Sequence, residues 1–172
     1  MKIIVLKFGG TSVGTTDRIK KVAKIIAKYK KKYNVIVLSS AMSGVTNNLI
    51  SLSKKISKNF SDSEYDVLVS SGEQVSCALI SGELINKGFN SRSWMYWQIP
   101  IITDGKYKFS RINKINKSQI ISYLKKGGIP IITGFQGINN KNRITTIGRG
   151  GTDASAIMFA KFFNAEKCII YT

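Results

Sequence analysis

The chain has 172 residues, enough for one domain with a proper core and hardly enough for two. Apolar residues make up 43% and aromatics 10%, a balance that excludes a disordered chain, and no apolar run reaches the roughly 20 residues needed to cross a bilayer. The formal charge of +18 invites a polyanion partner, but the excess is mostly lysine spread over many segments ("KYKKKYN", "SKKISKN", "KYKFSRINKINK"), and with the abundant isoleucine and asparagine it reads as biased coding with solvated lysine faces.

"KIIVLKF" (2–8) reads as a buried strand, short, β-branched and stopped by glycine; "IIVL" is too short and too close to Lys7 for a secretory signal. From Asp17 to about Lys32, apolar residues at Ile19, Val22, Ala23, Ile26 and Tyr29 mark an amphipathic helix. "NVIVLSSA" (34–41) is a second buried strand, followed by a helix from about Thr46 to Ser57. Residues 64–88 read as mainly helical, with Val75, Ala78, Leu79 and Ile85 on one side and Gly88 as a stop. "FNSRSWMYW" and "IPIITD" are short strands, and "GKYKFSRINKI" has the polarity of an exposed hairpin or excursion. "KSQIISYLKK" is a short helix closed by Gly127 and Gly128, and "IPIITGFQG" reads as one further buried strand. "GTDASAIMFAKFFN" has helical spacing at Ala156, Ile157, Ala160 and Phe163, and "KCIIYT" is a last strand. Apolar strands alternating with helices imply an α/β protein with a mainly parallel sheet covered on both faces. Ligands in such sheets bind beyond the carboxyl ends of the strands, where Lys7, Ser39, Ser40, Gly134 and Thr172 fall. Cys77 and Cys168 lie in apolar stretches without metal-type spacing, which suits buried free thiols in a reducing cytoplasm.

Two glycine segments carry the chemistry. In "KFGGTSVG" a lysine is delivered to the lip of a glycine turn that leads into a helix, so backbone N–H groups, helix dipole and ammonium converge on one anion site. The plainer alternative is a tight turn with a solvated lysine. In "TTIGRGGTDASA", glycines flank Arg149, whose guanidinium can grip a carboxylate with two hydrogen bonds, and Asp153 falls in the first turn of a helix, where a carboxylate is also simply favourable. "SSAMSGVTNNL" offers hydroxyls at Ser39, Ser40, Ser43 and Thr46 that suit a polar ligand or a helix cap. Glu73 in "VSSGEQVS" is either a capping residue or a carboxylate for a cation. The chain contains no histidine, so chemistry by positioning and charge neutralisation, as in phosphoryl transfer, fits the residues available.

In this order "KFGGTSVG", "SSAMSGVTN", "SSGEQVS", "ITGFQG" and "TTIGRGGTDASA" closely resemble the aspartate kinases of the amino-acid kinase family, and the resemblance spans nearly the whole chain. It implies a three-layer αβα sandwich on a mainly parallel sheet. It also implies an ATP-dependent phosphotransferase that makes 4-phospho-L-aspartate from L-aspartate and MgATP, the first step toward lysine, threonine and methionine. By the family pattern, Lys7 neutralises the transferring phosphoryl group while Gly9 and Gly10 offer backbone donors to the phosphates. Arg149 binds the α-carboxylate of aspartate and Glu73 its ammonium, with Ser40 and Thr46 lining the same pocket; Asp153 organises Lys7, and Gly150 and Thr172 belong to the nucleotide side. No protein ligand set for a metal is implied beyond Mg²⁺ on the nucleotide.

In that family the strand matching "CIIYT" runs on into a nucleotide-binding segment and then into regulatory ACT domains. The resemblance therefore implies that residues 1–172 are an incomplete, C-terminally truncated catalytic domain, without feedback regulation and of uncertain activity, from a cytoplasmic protein that is homo-oligomeric at full length. Two alternatives stand beside it: another member of the amino-acid kinase family, and a catalytically dead basic fragment that binds polyanions. The expectation is for neither a nucleic-acid nor a membrane partner.

Overall fold

The computed structural model describes residues 2–148 and 150–172; Arg149 lies outside the described residues. β1 (Ile3–Phe8), β2 (Asn34–Ser39), β3 (Ser91–Trp94), β6 (Ile129–Thr133) and β9 (Lys167–Tyr171) form a five-stranded sheet in the order β3-β6-β2-β1-β9. Every pairing in it is parallel. The register pairs Phe8 with both Ser39 and Tyr171, and Ser39 with Thr133, so four strands end along one rim.

Helices cover both faces. α1 (Thr16–Lys30), capped by the Thr15 hydroxyl, and α3 (Asp62–Asn86) pack Val22, Ile26, Cys77, Ile80 and Leu84 onto Ile4, Leu6 and Phe8. α4 (Ser118–Lys125) and α5 (Gly151–Phe162) pack Ile120, Leu124, Ala156 and Phe159 onto Val5, Ile36 and Leu38. α2 (Val45–Ile56) lies beside α3 and rises from the rim. The three-layer α/β architecture is the one implied by the sequence.

A second, mixed sheet was not foreseen. β4 (Ile101–Thr103), β5 (Ile112–Ile115), β7 (Gln136–Ile138) and β8 (Ile144–Thr146) pair in the order β5-β4-β7-β8. "IPIITD" supplies β4 as expected, but "GKYKFSRINKI" is a loop and the single strand β5 that pairs back onto it, and "IPIITGFQG" is two strands in two sheets, separated at Gly134 and at Phe135, whose φ is +71°. A side chain in that left-handed region cannot continue a β ladder.

α3 turns the side that carries Val75, Leu79 and Ile85 outward, while Ser76, Cys77, Ile80 and Leu84 are buried. The buried side also carries Glu73 and Ser76 beneath the end of β2. Both cysteines are free thiols, Cys77 buried and Cys168 half-buried. No helix among the described residues is long and apolar enough to cross a membrane. Phe159 is fully buried and stacks on Phe163 at 5.6 Å. Phe159→Ala is expected to lower the unfolding free energy by about 3–5 kcal/mol, read from urea denaturation.

Candidate active site

The first cradle is built where β1 meets the glycine turn. Lys7 is buried at the rim and its Nζ lies 2.6 Å from Asp153 Oδ1. Asp153 is placed by the first turn of α5, whose N-cap Gly150 has φ +74°, and its backbone N–H donates to the Gly150 carbonyl. The Asp153 side chain is 42% exposed, so its second oxygen faces the pocket and solvent. The two glycine segments, near opposite ends of the chain, thus meet at one rim through Lys7 and Asp153.



The second feature is Glu73, in the middle of α3 and so not a capping residue. Gly72, just before it, lets α3 approach the loop after β2 closely: a Cβ there would sit 2.8 Å from the Ala41 Cβ. At that separation the Ala41 N–H donates to Glu73 Oε1 at 3.2 Å, while Oε2 is buried with no hydrogen-bond partner. Burial pushes the Glu73 carboxyl from its usual 4.5 to about 8, against the opposing hydrogen bond from Ala41. Below, the Ser76 hydroxyl donates to the Ser40 carbonyl at 2.7 Å and fixes the strand end. A buried carboxylate with one oxygen unsatisfied is a receptor for a cation or a hydrogen-bond donor.

Lys7, Glu73 and Asp153 all line one cavity of about 310 Å³, together with Gly10, Ser40, Thr46 and Gly150 from the expected set. Two expected residues fall elsewhere. The Gly9 N–H is committed to the Tyr171 carbonyl at 2.9 Å, which corrects the expectation that it serves as a free backbone donor. Thr172 lines a neighbouring groove with Phe8, Thr11 and Arg18 instead of this cavity. Arg149 lies outside the described residues, although Gly148 and Gly150 on either side of it line the cavity. Phe135, Asn47 and Thr152 also line it and were not anticipated. Only the Gly-Phe pair that interrupts "IPIITGFQG" hints at Phe135.

The sequence model of the amino acid kinase family matches residues 2–172. The chain belongs to the amino acid kinase family. The aspartokinase of Rickettsia bellii is 44% identical over 176 residues, an alignment that takes in 100% of this chain and 43% of that protein. Aspartate kinase from Synechocystis superposes with a TM-score of 0.81 at 37% identity, over 98% of this chain and 28% of that one. E. coli aspartokinase III, in complex with aspartate and ADP, superposes with a TM-score of 0.87 at 24% identity, over 99% of this chain and 49% of that one, a likeness of fold. This chain spans less than half the length of these relatives. As an amino acid kinase family member it brings an ammonium, glycine-lined backbone and a buried carboxylate to one rim, a set able to hold an anion and an ammonium side by side.

Proposed function

We propose that this chain forms the front part of an aspartate kinase catalytic domain, which transfers the γ-phosphoryl group of ATP to the β-carboxylate of L-aspartate. The observation that carries the reading is the opening of the Lys7 ammonium and the Glu73 carboxylate onto the same cavity. A zwitterionic amino acid needs a partner for its ammonium, and a phosphoryl donor needs a cation beside its oxygens.

In this reading Glu73 Oε2 receives the α-ammonium of aspartate, and Arg149, in the segment between Gly148 and Gly150, takes the α-carboxylate. Ser40 and Thr46 border the amino acid, and the aromatic ring of Phe135 closes its side. The β-carboxylate is then left facing the Lys7 end. One of its oxygens attacks the γ-phosphorus, the bond from that phosphorus to the bridging oxygen breaks, and ADP leaves with the bridging electron pair. No covalent enzyme intermediate forms. Lys7 stabilises the negative charge on the transferring oxygens, and Asp153 holds its ammonium in place at 2.6 Å. Gly10 and Gly150 let the backbone come close to the phosphates.

Among the described residues there is no cluster of three or more His, Cys, Asp or Glu able to hold a metal. Mg²⁺ keeps several waters and is held by substrate phosphates with one or two carboxylates, and the exposed oxygen of Asp153 offers such a carboxylate at the cavity. When bound, the ion supplies further charge neutralisation on the phosphates.

Incubation with MgATP, aspartate and hydroxylamine is expected to yield aspartyl hydroxamate, with none when glutamate or UMP replaces aspartate. Calorimetry is expected to show aspartate binding to the chain. No aspartate binding, or equal turnover with glutamate, overturns the reading.

A further inference from the structure

One fully buried carboxylate has no part in the chemistry above. Asp66, in the second turn of α3, is 0% exposed. Its oxygens accept the Lys108 N–H at 3.0 and 3.2 Å, the Thr146 N–H at 2.9 Å and the Thr146 hydroxyl at 2.7 Å. Every partner is a donor, which an ionised carboxylate alone can satisfy in full.

The two segments it joins meet again at the cavity wall. The Ser110 N–H donates to the Thr146 carbonyl at 2.9 Å, so the turn after β4 and the end of β8 form one clamped unit. Gly148, two residues beyond Thr146, has φ +85°, and a Cβ there would lie 2.7 Å from the Lys108 carbonyl and 3.2 Å from the Phe109 ring. The Lys108 turn is itself left-handed, with φ +64°, and Lys108 Nζ pairs with Asp62 while lying 4.7 Å from the Tyr65 ring centre. The wall at Gly148 therefore rests on a turn and a strand end that Asp66 holds together.

We propose that Asp66 is a positioning residue that sets the Gly148 wall of the cavity for the amino-acid substrate. This rests on the aspartate kinase reading. The phosphate side does not depend on Asp66, because the start of α5 has anchors of its own: the Ser155 hydroxyl donates to the Gly151 carbonyl at 2.8 Å and accepts the Phe135 N–H at 3.0 Å. The two sides of one pocket are thus held by separate devices, and only one of them contains Asp66.

Asp66→Asn keeps the shape but turns a donor toward groups that are already donors. Thr146→Val removes only the hydroxyl bond and leaves the backbone bonds in place. For Asp66→Asn, calorimetry is expected to show aspartate affinity weakened about tenfold or more, with ATP affinity within about twofold of wild type. Thr146→Val is expected to shift aspartate affinity the same way by less. Hydrogen exchange is expected to quicken in peptides covering residues 144–150 and not in those covering 7–14. Unchanged aspartate affinity and exchange in both variants overturn the inference. So does an equal loss of aspartate and ATP affinity, since that marks general loosening of the fold. If wild type binds no aspartate, the function reading falls and exchange alone decides: quickening confined to 144–150 upholds the positioning role, and unchanged exchange removes it.

Discussion

Lys7→Met is expected to reduce phosphoryl transfer by about 10²–10³-fold while leaving aspartate affinity within about twofold of wild type. The side chain is buried at the rim and its ammonium has one protein anion, Asp153, at 2.6 Å. Methionine keeps most of the apolar stem and removes only the charge that phosphoryl oxygens require. Folding should change little: Asp153 is 42% exposed, so an ion pair there contributes on the order of 1 kcal/mol or less. Lys7→Arg is not expected to restore activity, because a planar, delocalised guanidinium does not reproduce the compact point charge that Asp153 holds at the cavity. Steady-state rates with calorimetry of aspartate provide the measurement. A kcat within tenfold of wild type would remove Lys7 from the transfer step.

The rim around Lys7 was legible because its information is local. β1 and β2 are unbroken apolar runs, and each ends where small or glycine residues begin, so a parallel sheet and its ligand-binding edge follow from pattern alone. α1 was legible for the same reason, with every inward residue on one helical stripe. α3 was not. It carries apolar residues on both sides, Val75, Leu79 and Ile85 outward and Val69, Cys77, Ile80 and Leu84 inward, and the inward side also brings Glu73 to Ala41, 32 positions away. With apolar residues on both sides, periodicity alone does not pick the buried face. Asp66 was equally invisible: a carboxylate inside a polar helix start looks solvated, and its partners lie 42 and 80 positions along the chain. The second sheet escaped notice because its strands β7 and β8 are only three residues each, below the length at which alternation can be seen. The Gly9 donor was misplaced because glycine in a loop suggests free N–H groups, but β9 claims that one through Tyr171.

Glu73→Gln is expected to weaken aspartate affinity by about 10- to 100-fold and to remove its pH dependence. In the free protein, burial raises the Glu73 carboxyl from 4.5 to about 8, so near neutrality the folded chain holds a proton that the unfolded chain does not. An ammonium arriving at Oε2 favours the ionised form, and its binding must release that proton. Wild-type affinity is therefore expected to rise with pH up to about 8 and then level off, while the glutamine variant stays flat. The same shift sets the stability of the ligand-free protein. Because the folded-state value lies above the unfolded one, the contribution is fully present below 4.5 and is lost as pH rises through about 8, by on the order of a few kcal/mol. Glutamine carries no such term, so Glu73→Gln is expected to unfold at higher urea than wild type at pH 8 and at similar urea at pH 4.5. Calorimetry across pH and denaturation at both ends of the range measure the two effects separately. Flat wild-type affinity would place the substrate ammonium elsewhere in the cavity, and equal stability of the two proteins at pH 8 would show that water reaches the carboxylate.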